Sequence, residues 1–168
     1  TMLHVLMFIS ALMVGGIGAL VIFPILSFIT YEMIYFFNPP IRWWRYMVPG
    51  LSYSFIAVAF MFIVYVLNMS KLPSNPVLKV KPMLWSYMLL LVYAVASFYA
   101  VFPAWHEIST TNYLKLLITI TLGYKMITDT QKLDWVIWGY VAGCWYLGFV
   151  AFETGRNSGD RLEGIGPA

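Results

Sequence analysis

The residues best suited to chemistry in this sequence are its arginines. Arg42 and Arg45 flank a tryptophan pair in Arg42-Trp43-Trp44-Arg45, while Arg156 and Arg161 lie among glycines near the other end, beside Asp160 and Glu163. A guanidinium presents a planar fork of donors that matches two phosphate oxygens at once, and flanking indoles belong at the membrane–water boundary. The first pair reads either as an interfacial anchor or as a capture point for a phosphorylated lipid headgroup. The second pair reads as part of a solvated tail or as a further contact for an anionic group.

Other candidates are few. His4 and His106 lie near the ends of apolar runs, where an ordinary interfacial role is expected; a haem or pigment ligand typically sits deeper in a span. Glu32 lies inside an apolar run, where a carboxylate costs a few kcal/mol unless it is paired, neutral or near the interface. It precedes Asn38-Pro39-Pro40 by less than two helical turns, so it is expected at the interface, hydrogen-bonded to a tyrosine or paired with Arg42 or Arg45. The sharper reading makes it one polar site with those arginines. Cys144, the single cysteine, excludes an internal disulfide framework and is expected as a small buried apolar residue. The sequence has no paired nucleophile and base, no metal-ligand spacing, no phosphate loop and no Cys-x-x-Cys-His motif, so it assigns no catalytic residue, metal site or cofactor.

The elements that must position these groups follow from composition. Hydrophobic residues form 61% of the chain and charged residues 10%, well away from the balance of a soluble globular domain. With a mean hydropathy of +0.79, the composition predicts an integral membrane protein. The net charge of +3 comes from basic residues scattered singly, which make no nucleic-acid-binding patch and instead report topology. The first apolar segment is too long for the core of a signal peptide and lacks a small-residue cleavage site, so it is expected to be retained.

Met2 to Phe37 would reach about 54 Å as one helix, well over one bilayer crossing. It is expected to be one long kinked helix or two short ones meeting at Gly15, Gly16, Gly18 and Pro24, with two favoured. Asn38-Pro39-Pro40 then stops the helix. Further spans are expected over Leu51 to Leu67, Met83 to Phe102, Tyr113 to Ile127 and Trp135 to Phe152, with Pro103-Ala104-Trp105-His106-Glu107 as a short interfacial turn. The predicted fold is all-α, a polytopic transmembrane helix bundle of five to six spans. It occupies 1–152, and 153–168 form a polar tail or truncated loop. Lys71, Lys79, Lys81, Lys125 and Lys132 fall on one side, read as cytoplasmic; Arg42, Arg45, the His106 turn and the final tail fall on the other.

The order of these pieces resembles a known family. An apolar pair ending in an aromatic run and Asn38-Pro39-Pro40 comes first, followed by Leu51-Ser52-Tyr53-Ser54 at a span start and the short Tyr113-Leu114-Lys115-Leu116-Leu117 helix. Asp134-Trp135-Val136-Ile137-Trp138 then leads into Arg161-Leu162-Glu163-Gly164. Together they resemble the O-antigen ligase and polymerase family, in particular its bacterial O-glycosylation ligase branch. The likeness runs the length of the chain and covers about the first third to half of such a protein.

The resemblance implies a multi-span enzyme of the bacterial inner membrane, active in cell envelope biogenesis. Such an enzyme moves a glycan from an undecaprenyl diphosphate carrier to an acceptor at the periplasmic face, without metal or nucleotide. It implies that arginines hold the diphosphate. Arg161, in Arg-x-x-Gly, is the residue carried over by motif, and Arg42 and Arg45 are expected to assist. It also implies a large periplasmic loop further along that supplies a histidine. Family members continue past Arg-x-x-Gly into another span, so Pro167-Ala168 reads as a join cut in the middle, and these 168 residues alone are expected to be inactive. The rival expectation is a non-catalytic transmembrane accessory subunit, packed by its aromatic faces into a larger membrane complex. A transporter, with Glu32 and Lys115 facing a cavity, is the third.

Overall fold

The computed structural model describes residues 2–42, 44–74 and 76–154, and all regular structure among them is helical. The helices are α1 (Met2–Val21), α2 (Ile25–Phe37), α3 (Tyr53–Leu67), α4 (Lys81–Ala96), α5 (Pro103–Met126) and α6 (Thr130–Thr154). The chain divides into two compact units, Thr1–Met69 with Asp129–Ala168, and Ser70–Thr128.

In the first unit, α2 is the central helix, packed against α1, α3 and α6. The run from Met2 to Phe37 is two helices, broken at Ile22-Phe23-Pro24. Pro24 has no N–H to extend α1, and the Ser27 amide and hydroxyl both donate to its carbonyl at 3.0 and 2.7 Å. The glycines are not the turn, as the sequence suggested, but lie inside α1. Gly15 and Gly18, three residues apart on one face, let α2 come close: a Cβ on Gly15 would collide with the Thr30 hydroxyl, and one on Gly18 would lie 2.7 Å from Leu26 Cδ1. Glycine costs helix interior about 1 kcal/mol relative to alanine, and close approach is what offsets it.

The same device joins α2 to α6. Gly139 faces Ile29 and Glu32, Gly143 receives the Phe36 ring, and Phe37 meets Tyr146 with centroids 4.2 Å apart. These pairs rise together along both helices, so α2 and α6 run parallel, while Phe8 against Phe37 and Gly18 against Leu26 make α1 antiparallel to α2. One buried cluster, including Phe8, Ile34, Phe37, Trp44, Ala57 and Tyr146, ties the four helices together. It sits where α1 and α3 begin and α2 and α6 end. At the opposite end of the unit Phe23 packs on Trp135, and Lys132 pairs with Asp129 at 3.1 Å.

Ser70–Thr128 forms a helical hairpin. Pro82 and Pro103 stand in the first turns of α4 and α5, where a missing N–H costs nothing. The stretch from Pro103 to Glu107, expected as an interfacial turn, is the first turn of a continuous 24-residue α5. Hydroxyls zip the pair: Tyr87 to Thr121 at 2.7 Å, and Tyr113 donating to the Ser86 carbonyl at 2.9 Å. At its tip, Phe98, Tyr99 and Val101 are each 83% exposed.

Among the described residues, two helices are long and apolar enough to cross a membrane, Met2–Val21 and Thr130–Glu153, and only 22% of each apolar window is covered by the rest of the protein. A soluble core helix is covered by its neighbours, so these two faces call for lipid or a partner. The other apolar helices are shorter. At 13, 15 and 16 residues, α2, α3 and α4 reach only about 20 to 24 Å, less than the hydrocarbon thickness.

Candidate functional site

The two arginines of the first unit that the structure describes, Arg42 and Arg45, lie at the end where α2 stops. Asn38 takes the left-handed conformation, φ 42°, and its amide donates to the Ile34 carbonyl at 2.9 Å, closing the helix. Pro39 and Pro40 cannot continue it, and the chain turns through Pro39–Ile41 and Arg45–Met47 before α3. This reversal separates the two sequence-predicted arginines. Arg42 is 3% exposed and points inward, its Nε donating to the Phe37 carbonyl at 3.0 Å and Nη2 to the Phe36 carbonyl at 3.2 Å. Its guanidinium supplies donors to carbonyls that the end of a helix leaves open. Burial lowers its pKa from the usual guanidinium value, and Tyr146 works the other way. Arg45, three residues on, is exposed and has no acidic partner among the described residues.

Behind Arg42 lies a compact group contributed by three segments. His4, 1% exposed, contacts Glu153 across Nε2–Oε2 at 2.9 Å, tying the start of α1 to the end of α6. Its ring stands edge-on to Tyr146 at 5.8 Å and tilts against Phe149 at 5.6 Å. The Trp44 indole N–H and the Tyr146 hydroxyl are near neighbours but do not meet in full hydrogen-bond geometry. His4 is therefore a buried packing residue with a carboxylate partner. His106 is half-buried in its own unit, with Nε2 at 2.9 Å from the Tyr93 carbonyl near the end of α4 and its ring stacked on Tyr93.

Glu32 does not join the arginines. It faces α6, where a Cβ on Gly139 would lie 3.1 Å from Oε2, and that oxygen is buried without a hydrogen-bond partner among the described residues. Cys144 is exposed, not buried, because the neighbouring positions Gly143 and Tyr146 take the face of α6 that meets α2. Arg161, Arg156 and Trp43 lie outside the described residues.

Two cavities adjoin this end. One, of about 530 Å³, opens over the α2–α3 connection and is lined by Pro39, Arg45, Tyr46, Pro49 and Ser52 among others. The second, about 290 Å³, is an apolar groove running between α1, α2 and α3 past Leu12, Gly16, Ile34, Ala57 and Phe60. Leu51 and Tyr53 line both. Tyr53 is a fixed wall: its hydroxyl donates to the Pro49 carbonyl at 2.6 Å and its ring stands edge-on to Phe8 at 5.2 Å. The sequence pointed to Arg45 but not to the groove. The available signal was Gly16 in Gly15-Gly16-Ile17-Gly18: a helix carrying three near-adjacent glycines leaves surface uncovered as well as brought together.

Fold and site together define a helical protein with two helices able to cross a membrane and one arginine-bearing polar end. No protein-family model, curated protein or solved structure matches the chain.

Proposed function

We propose that this chain is the membrane-embedded N-terminal portion of an O-antigen-ligase-like glycosyltransferase, using an undecaprenyl-diphosphate-linked glycan at the periplasmic face of the bacterial inner membrane. The full arrangement is a multi-pass bundle of five to six crossings, in which the short helices span with neighbouring lipid thinned or with help from flanking polar residues. The observation that carries the reading is convergence: Arg45 and the last turn of α6 belong to the same end of the first unit. Arg161 follows Thr154 by seven residues, so chain length alone keeps it within about 25 Å of that end. Arg45 and Arg161 then contact the diphosphate from two segments, and Arg42, held by the α2 carbonyls, fixes the shape of the connection that presents Arg45. Diphosphate is the leaving group of transfer, and fixed guanidinium charge near the membrane surface stabilises it as it departs.

The test is glycan transfer in membrane vesicles by the intact protein. Arg161→Ala and Arg45→Ala are each expected to lower transfer at least tenfold with unchanged amounts of inserted protein. Transfer at the unsubstituted rate in both would remove the assignment. Orientation is checked separately with Tyr46→Cys in a Cys144→Ser background, which should react with a membrane-impermeant maleimide added from the periplasmic side.

A further inference from the structure

The cavity around Arg45 and the groove beside Gly16 are, we propose, two halves of one slot for a single-chain phosphorylated lipid. The phosphate sits against Arg45 and Ser52, and the chain lies along α3 between α1 and α2. The inference rests on the carrier-binding reading for the natural ligand, but its geometry stands apart from any transfer chemistry.

Three observations converge on this occupant. First, the two cavities share Leu51 and Tyr53, so a molecule can pass from one to the other over a wall that is already fixed by the Tyr53–Pro49 hydrogen bond. Second, polarity is divided between them. Arg45 stands at the head end with no acidic partner among the described residues, whereas the groove carries no charged side chain. Its two hydroxyls are both engaged, Thr30 donating to the Leu26 carbonyl at 2.7 Å and Tyr53 to the Pro49 carbonyl at 2.6 Å, leaving an effectively apolar lining. Third, the space comes from a missing side chain. A Cβ on Gly16 would meet nothing within 4 Å, unlike one on Gly15, so Gly16 is not needed for helix contact and leaves the groove open. From Tyr53 to Phe60 the groove follows α3 for roughly 10 Å, the length of a medium alkyl chain. A phosphate alone would use only half of this site, and a neutral lipid would leave the guanidinium unused.

A contrasting groove of about 340 Å³, between α1 and α6 past Ala11, Val14, Ala142 and Trp145, has no charged lining. It serves as the internal control.

The test uses the full chain in an uncharged detergent, with native mass spectrometry reading retained ligand. Dodecyl phosphate and farnesyl phosphate are each expected to bind one per chain, and inorganic phosphate at least tenfold more weakly. The tighter of the two amphiphiles tells whether a straight-chain or an isoprenoid lipid is the natural source. Arg45→Gln and Gly16→Leu should each weaken amphiphile binding about tenfold or more, and Ile56→Trp, a second way of filling the groove, should match Gly16→Leu. Val14→Phe, which fills the control groove, should leave binding unchanged. Binding within twofold of the unsubstituted chain in Arg45→Gln, or in both groove-filling variants, overturns the proposal; so does inorganic phosphate binding as tightly as the amphiphiles. Since no sugar moves in this measurement, intact binding with failed transfer sinks only the transferase reading, and lost selectivity with intact transfer sinks only the slot.

Discussion

The two units of the chain bring helices together by opposite means. Around α2, contact depends on side chains that are absent: glycines in α1 and α6 admit Thr30, Leu26 and Phe36. In the α4–α5 hairpin, contact depends on hydroxyls that reach across, Tyr87 to Thr121 and Tyr113 to Ser86, with His106 bonded to the Tyr93 carbonyl at the tip. Glycine contacts are steric and tolerate no added atom, whereas a hydroxyl bridge can be lost at modest cost because water or a neighbouring carbonyl can substitute. The lesson is that one sequence of nearly uniform greasiness holds a tightly specified half and a loosely specified one.

The sharpest way to break the contrast is Gly143→Val. Its side chain would overlap the Phe36 ring, so the first unit should lose about 3 kcal/mol. Amide hydrogen exchange should show α2 and α6 losing protection while α4 and α5 keep theirs; equal loss in both units would merge what the structure divides. Arg42→Met comes next. It leaves the Phe36 and Phe37 carbonyls without their guanidinium donors and should cost about 2 kcal/mol, read as a lower unfolding midpoint in mild detergent. An unshifted midpoint would mean that the end of α2 does not need this arginine. The smallest effect belongs to the hairpin, where Tyr87→Phe removes one hydroxyl bridge and should cost about 1 kcal/mol, confined to exchange in α4 and α5.

Much of the local punctuation was legible in the sequence. Pro24, Asn38-Pro39-Pro40 and Pro82 all mark helix boundaries, because proline removes a donor whatever the tertiary context, whereas Pro103, read as part of a turn, opens α5. Long-range pairings were not legible in the same way. The glycines of α1 read as turn material because their backbone freedom is a local property, whereas the partner that explains them, α2, becomes visible only once the chain has folded back. Arg42 and Arg45 are equivalent by sequence, and the reversal from the left-handed Asn38 through Pro39–Ile41 and Arg45–Met47 leaves one buried and the other exposed. Cys144 and Glu32 were misplaced for a related reason: hydropathy tells that a residue lies in an apolar helix, not which way around that helix it points. The cavities followed the same pattern: Arg45 at the mouth of one stood out in the sequence, whereas the apolar groove was hidden in the spacing of three helices.

The parallel pairing of α2 with α6 has a consequence for how the chain is made. The two helices sit side by side, yet the whole hairpin unit is synthesised between them. For that interval the flank of α2 bearing Ile29, Glu32 and Phe36 has no glycine-lined partner, and its carboxylate must be tolerated by whatever surrounds the nascent chain. Assembly of this unit therefore waits on α6 to emerge, and whatever surrounds the nascent chain, rather than the folded unit, meets the cost of that delay.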